Sequence, residues 1–190
     1  MNPLNTDLPV IHLKPGELYF SEKPELIFTL LGSCISIIMY SPRYRQAAIC
    51  HSLLPQDLNS CEGKSKAGNF KYLDQSFNTM YDWFIRRGIK NHEITVKVFG
   101  GGDVIQGKGS GYGVDVNNKT VGARNIDAAL TYVRGKNLNV AAVDVGGESG
   151  RQVFLYSHTG EVLLKRLKKT ETTFMIMQQE GDTWRNRKQE

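Results

Sequence analysis

The sequence predicts an α/β (α+β) layered sandwich, a single domain with a mixed β-sheet and two main helices. Three observations carry this. Short β-branched apolar runs recur at ELIFTLL, SIIMY and AAICHSLLP; two segments carry apolar residues at helical spacing; and strand patterns return after each of them. At 190 residues the chain has the size of one ordinary domain and needs no disulfide or metal to hold it together.

ELIFTLL and SIIMY read as two strands around a tight turn at LGSC, closed by SPRY, and AAICHSLLP as a third strand ending at Pro55. The polar QDLNSCEGKSKAGN reads as a loop. Phe70, Leu73, Phe77, Met80, Tyr81 and Phe84 then mark one face of a helix, with Asn69 as its N-cap and Gly88 as its stop. EITVKVF alternates as a strand. FGGGDVIQGKGSGYG interrupts it with seven glycines, and Ile126, Leu130 and Val133 place a second helix between Gly122 and Gly135. NLNVAAVDV reads as a strand, GGESGR as a turn, and VFLYSHTGEVLLKRL as a hairpin around Thr159 and Gly160. The domain is expected over residues 1–170, with 171–190 as the flexible tail of a C-terminal segment that is basic as a whole.

Composition narrows the function. Hydrophobic residues at 40% and charged residues at 23%, with no low-complexity tract, describe a globular chain. No run reaches the length of a membrane span, and the N-terminus has neither a basic n-region nor an apolar h-region. A cytoplasmic protein without membrane insertion is therefore expected. Cys34, Cys50 and Cys61 form no CxxC pair, so neither a disulfide framework nor a cysteine zinc site is indicated. The scattered His12, His92 and His158 suggest no metal, and no cofactor is expected. From Leu164 to Glu190, seven Lys/Arg against four acids leave +3 of the formal +5. That excess reads as a solvated end; with no RNA motif or helix-turn-helix signal beside it, a nucleic-acid partner is not expected.

Two constellations hold possible chemistry. In GDVIQGKG, Gly109 stands where a phosphate-binding P-loop needs Ser or Thr, and no helix can start in GSGYGVDV, so nucleotide binding is not indicated. TLLGSC is better placed. A thiol attacks as thiolate and needs a partner base. Cys34 follows Gly32 and Ser33 in a turn where Gly32 allows close approach and the N–H groups of Ser33 and Cys34 could receive an oxyanion. His51, on a strand expected beside that of Cys34, is the natural partner, and the Thr29 hydroxyl could hold its tautomer. Each also has a plain reading: Cys34 as core filler, His51 as a structural histidine, Thr29 as a strand residue. Cys50, next to His51, should point to the opposite face of its strand.

In order from Phe28 to Leu167, the motifs TLLGSC, HSLLP, KYLD, VFGGGD, VGARNI and VDVGGESGRQVFLYSHTGEVLLKRL resemble the chemoreceptor glutamine deamidase family, CheD. Three short motifs, TLLGSC, HxLLP and GARN, rarely coincide in order and spacing. The resemblance implies a cytoplasmic cysteine amidohydrolase, a protein-glutamine glutaminase of bacterial chemotaxis, with Cys34, His51 and Thr29 as its triad and the backbone at Gly32 and Ser33 around the oxyanion. It implies that side-chain amides, and also glutamate methyl esters, are hydrolysed through a thioester. Its partners would be the cytoplasmic helical region of methyl-accepting chemotaxis receptors and a CheC-type phosphatase. Association with either could itself be the main role, making the chain a regulatory binding module. Gly101, Gly102, Arg124 and Asn125 fall in family motifs and are expected near the substrate. The chain departs from the family at Ser52, where an aromatic is common, and at AAIC, where small glycines often precede the histidine.

Overall fold

The computed structural model describes residues 3–4, 6–56, 70–104 and 119–168. Asn69, Cys61, most of the glycine-rich loop and the tail expected over 171–190 lie outside them.

Among the described residues, nine strands and two α-helices form three layers. The first sheet contains β1 (Val10–His12), β3 (Leu26–Leu31), β8 (Arg151–Tyr156) and β9 (Glu161–Arg166), in the order β1-β3-β8-β9. The second contains β2 (Leu18–Ser21), β4 (Ile35–Ser41), β5 (Gln46–Cys50), β6 (Thr95–Gly100) and β7 (Asn139–Val145), in the order β2-β5-β4-β6-β7. Helices α1 (Leu73–Arg86) and α2 (Val121–Gly135) cover the outer face of the second sheet. Both sheets are mixed: β1 runs parallel to β3, and β6 parallel to β7 across the α2 connection, while the other pairs are antiparallel. The expected α+β class holds, with two sheets in place of one.

The second sheet is buried on both sides, and its alternation decides which side chain meets which layer. In β4, Ile35, Ile37 and Met39 pack under Phe77, Met80, Phe84 and Val133 of the helices. Ile38 and Tyr40 point the other way, into a core shared with Ile27, Leu31, Val153 and Leu155 of the first sheet. β4 is therefore apolar on both faces, which is why SIIMY reads as a continuous run.

Three local expectations change. LGSC does not close a hairpin: β3 and β4 belong to different sheets, and Gly32–Cys34 carries the chain from one to the other. Helix α1 begins at Leu73, not at Phe70; Tyr72 occupies the N-cap and supplies no side-chain hydrogen bond. β1 and β2 have no counterpart in the sequence reading, being too short for a periodic signal. Helix α2 carries a true cap, Thr120 Oγ1 accepting from the Ala123 N–H at 3.2 Å.

One buried cation ties the layers at the end where β3, β4 and β6 meet. Arg151, fully buried at the start of β8, pairs with Asp144 Oδ1 at 2.9 Å and donates to the carbonyls of Gly100 (3.2 Å), Asp144 and Gly146. Asp144 Oδ2 is held in turn by the exposed Arg166 at 2.7 Å. Burying a guanidinium is tolerable only because carbonyls and a carboxylate surround it. Arg151→Ala would strand these acceptors, and a loss of about 3–5 kcal/mol of stability is expected in urea unfolding. A loss below about 1 kcal/mol would mean that the cluster is solvated and not structural.

Candidate active site

The C-terminal ends of β3, β5 and β6 meet the Gly32–Cys34 crossover at one pole of the sandwich. Thr29 lies on β3 between Ile27 and Leu31 on the face turned to the second sheet. His51 follows β5, on the face of Ala47 and Ile49, which is turned to the first sheet. The two side chains meet across the gap between sheets, both about 1% exposed. Thr29 Oγ1 stands 2.8 Å from His51 Nδ1 and donates its own proton to the Leu13 carbonyl at 2.9 Å. A hydroxyl whose proton is committed can only accept from the ring, so Nδ1 carries the imidazole hydrogen and Nε2 keeps its lone pair.

The backbone of His51 is held as firmly. Its N–H donates to Glu17 at 2.9 Å and its carbonyl accepts from Gly16 at 2.7 Å. The short segment joining β1 to β2 thus positions the histidine. Burial pulls its pKa down from the usual 6.5 to about 4, opposed by the Leu13 carbonyl, so the ring is neutral at pH 7.

Cys34 lies just before β4. Ile35 and Ser52 exchange two backbone hydrogen bonds at 2.9 Å, which binds the start of β4 to the residue after His51. Counting outward from that pair puts Cys34 and His51 on the same face of the sheet as diagonal neighbours, a spacing that side chains can bridge. Cys34 is partly exposed and packs on the inter-sheet core. His51 Nε2 has no hydrogen-bond partner among the described residues, so thiol and imidazole share a face without being bonded to each other. Cys50 is on the helix side, fully buried, its thiol pushed up to about 11 by desolvation. It is set to pack and not to react.

Every carbonyl of the crossover is anchored. That of Gly32 accepts from Gly102 N–H (2.8 Å), that of Cys34 from Gly101 N–H (2.7 Å), and that of Ser33 from Asn125 Nδ2 (2.9 Å). Asn125 Nδ2 also reaches the Leu53 carbonyl at 2.9 Å, so one buried amide clamps the segments bearing Cys34 and His51. Gly101, Gly102 and Asn125, which the sequence places near a substrate, thus lie against the crossover itself. Arg124, half-buried in the first turn of α2, makes no such contact with it; its Nε has no partner among the described residues. Gly32 does not take a positive φ; Gly100 and Gly101 do. Arg151 escaped the sequence reading altogether, although GGESGR at a strand start was its only signal. Among the described residues no three His, Cys, Asp or Glu side chains are grouped to hold a metal ion, and no helix is long and apolar enough to cross a membrane.

Fold and site together define a β/β/α sandwich with a cysteine, a tautomer-fixed histidine and a threonine gathered at one pole. Comparison with known proteins narrows this. The family described as CheD chemotactic sensory transduction matches residues 53–166, more than half of the chain. A probable chemoreceptor glutamine deamidase CheD 2 of Geobacter sulfurreducens is 43% identical over 171 residues, covering 90% of this chain and 98% of that protein. A probable chemoreceptor glutamine deamidase CheD of Maridesulfovibrio salexigens is 33% identical over 165 residues, 86% of this chain and 95% of its own. One from Methanococcus maripaludis is 30% identical over 157 residues, 83% and 95% of the two chains. The chain belongs to the CheD family.

A histidine buried neutral makes stability depend on pH. The unfolded chain takes up a proton near pH 6.5 and the folded one only near pH 4, so stability falls as pH drops between them. About 3 kcal/mol from this residue is expected to be lost between pH 7 and pH 4. Urea unfolding of the wild type against His51→Gln checks this: the variant should lose less stability across the same range.

Proposed function

We propose that the chain is a chemoreceptor glutamine deamidase, converting receptor glutamines to glutamate through a Cys34 thioester. The observation that carries this reading is the Leu13–Thr29–His51 chain of hydrogen bonds, which leaves Nε2 as a base on the face of Cys34. Family membership supplies the substrate class: the relatives above are named for deamidation of chemoreceptors. The substrate surface is the cytoplasmic helical region of the receptor, and the compartment is the cytoplasm. A CheC-type phosphatase is the second partner.

The chemistry begins with the neutral imidazole. His51 Nε2 takes the thiol proton as Sγ attacks the side-chain carbonyl, and the oxyanion is received in the Gly32–Ser33 turn of the crossover by the backbone N–H groups of Ser33 and Cys34. Their carbonyls are anchored at the back, so the turn need not reorganise as charge develops. The protonated Nε2 then delivers its hydrogen to the departing nitrogen, ammonia leaves, and a thioester remains. Water deprotonated by Nε2 attacks the thioester, and Cys34 is released with a glutamate product. A glutamate methyl ester loses methanol by the same route.

Mass spectrometry of a receptor cytoplasmic fragment tests the reading. Incubation with wild type should raise specific glutamine peptides by about one mass unit, while Cys34→Ala and His51→Ala leave them unchanged. Thr29→Val, which keeps the shape and removes the acceptor of Nδ1–H, should lower turnover roughly 10- to 100-fold, the equivalent of one buried hydrogen bond. No conversion by the wild type on a fragment from its own cell would sink the deamidase reading and favour a binding role.

The acid limb of kcat/KM should lie well below pH 6.5, because His51 remains an unprotonated base until pH approaches 4. A limb at or above 6.5 would show that the imidazole is solvated in the working enzyme.

A further inference from the structure

The mechanism leaves one buried polar group on the site face unused. Ser36 sits on β4 between Cys34 and Ile38, both of which face the inter-sheet core, so its hydroxyl faces that way too. Ile35 opposes Ser52 and Ile38 opposes Ile49, a common register that places Ser36 opposite His51. Regular pairing is interrupted between those two pairs, and the Ile37 N–H there donates to Cys50 Sγ at 3.4 Å. Ser36 is completely buried, and its Oγ, like His51 Nε2, has no hydrogen-bond partner among the described residues. Two fully enclosed polar atoms without partners, on one face and directly across an opened ladder, are costly unless they act together on a third group. A water needs two or more polar contacts to be held in an interior, and these supply them.

We propose that Ser36 is the positioning residue for the hydrolytic water, its Oγ and His51 Nε2 forming a two-point seat. The proposal rests on the thioester reading and assigns a residue to its second half. The water donates one hydrogen to Nε2 and the other to Ser36 Oγ, which leaves an oxygen lone pair to face the thioester carbon. Nε2 takes the first proton as the C–O bond forms. Collapse of the tetrahedral intermediate breaks the C–S bond, the sulfur recovers the proton from Nε2, and the carboxyl product leaves. Ser36 is neither protonated nor consumed. The first half needs no water, so acylation by Cys34 does not involve Ser36.

Rapid-quench measurement of ammonia release from a receptor cytoplasmic fragment tests this with wild type, Ser36→Ala, Ser36→Thr and Cys34→Ala. Ser36→Ala should release one equivalent of ammonia per enzyme at the wild-type rate, then turn over about tenfold more slowly. A hydroxylamine-labile adduct of enzyme and fragment should accumulate. Ser36→Thr, which retains a hydroxyl, should turn over faster than Ser36→Ala, a recovery that packing alone does not give. Wild-type turnover by Ser36→Ala without adduct overturns the assignment, as does a first equivalent slowed as much as the later ones. If wild type releases ammonia and Ser36→Ala accumulates no adduct, Ser36 is refuted and the deamidase stands. If wild type releases none, the deamidase reading falls and the seat with it.

Discussion

The candidate active pole depends on how closely three stretches of backbone approach one another. A Cβ on Gly100 would lie 2.2 Å from the Cys34 carbonyl oxygen, and one on Gly122 2.5 Å from that of Gly101. Neither distance is possible for a real side chain. The crossover bearing Cys34 therefore rests on the end of β6, to which backbone hydrogen bonds from Gly101 and Gly102 tie it, and Gly101 in turn lies directly against the first turn of α2. Such contact converts the flexibility of a Gly-Ser turn into a fixed presentation of one thiol.

The same closeness explains the buried arginine. Chains packed without side chains leave carbonyls that must find donors away from water. Arg151 brings several donors in one rigid plane and satisfies the turns after β6 and β7 together. Asn125 does the corresponding work on the other side, for Ser33 and Leu53. Both act from behind the atoms proposed to react, and their contribution is order rather than chemistry. A charge so enclosed is weak support for stability in itself, yet its removal is expensive because its partners stay behind.

Electrostatically the site fits the general-base role proposed for His51. With Nδ1–H directed at Thr29 Oγ1, whose own proton goes to Leu13, the ring is held by a chain of neutral groups with no carboxylate in it. Desolvation then dominates and keeps the imidazole uncharged. An acidic third member would raise the basicity of His51; a threonine fixes its tautomer without doing so. In the proposed mechanism the thiol opposite supplies the proton during attack, which suits a nucleophile more acidic than a hydroxyl.

By itself the sequence determined what depends on neighbours along the chain. The helical faces of α1 and α2, the alternating strands, the β8–β9 hairpin and the opposed orientations of Cys50 and His51 all follow from local periodicity. So does the pairing of β4 with β5 that brings Cys34 near His51. Tertiary structure alone decided the rest. Gly32–Cys34 could pass for a hairpin turn, because nothing local says that the strands on either side enter different sheets. Thr29 reaches His51 only because those two sheets face each other, and β1 and β2, too short to show a pattern, take their place from hydrogen bonds made by distant strands. Asn125 and Arg151 look like ordinary polar residues until the backbones they serve converge, since a buried carbonyl's need for a donor exists only once folding has removed the water.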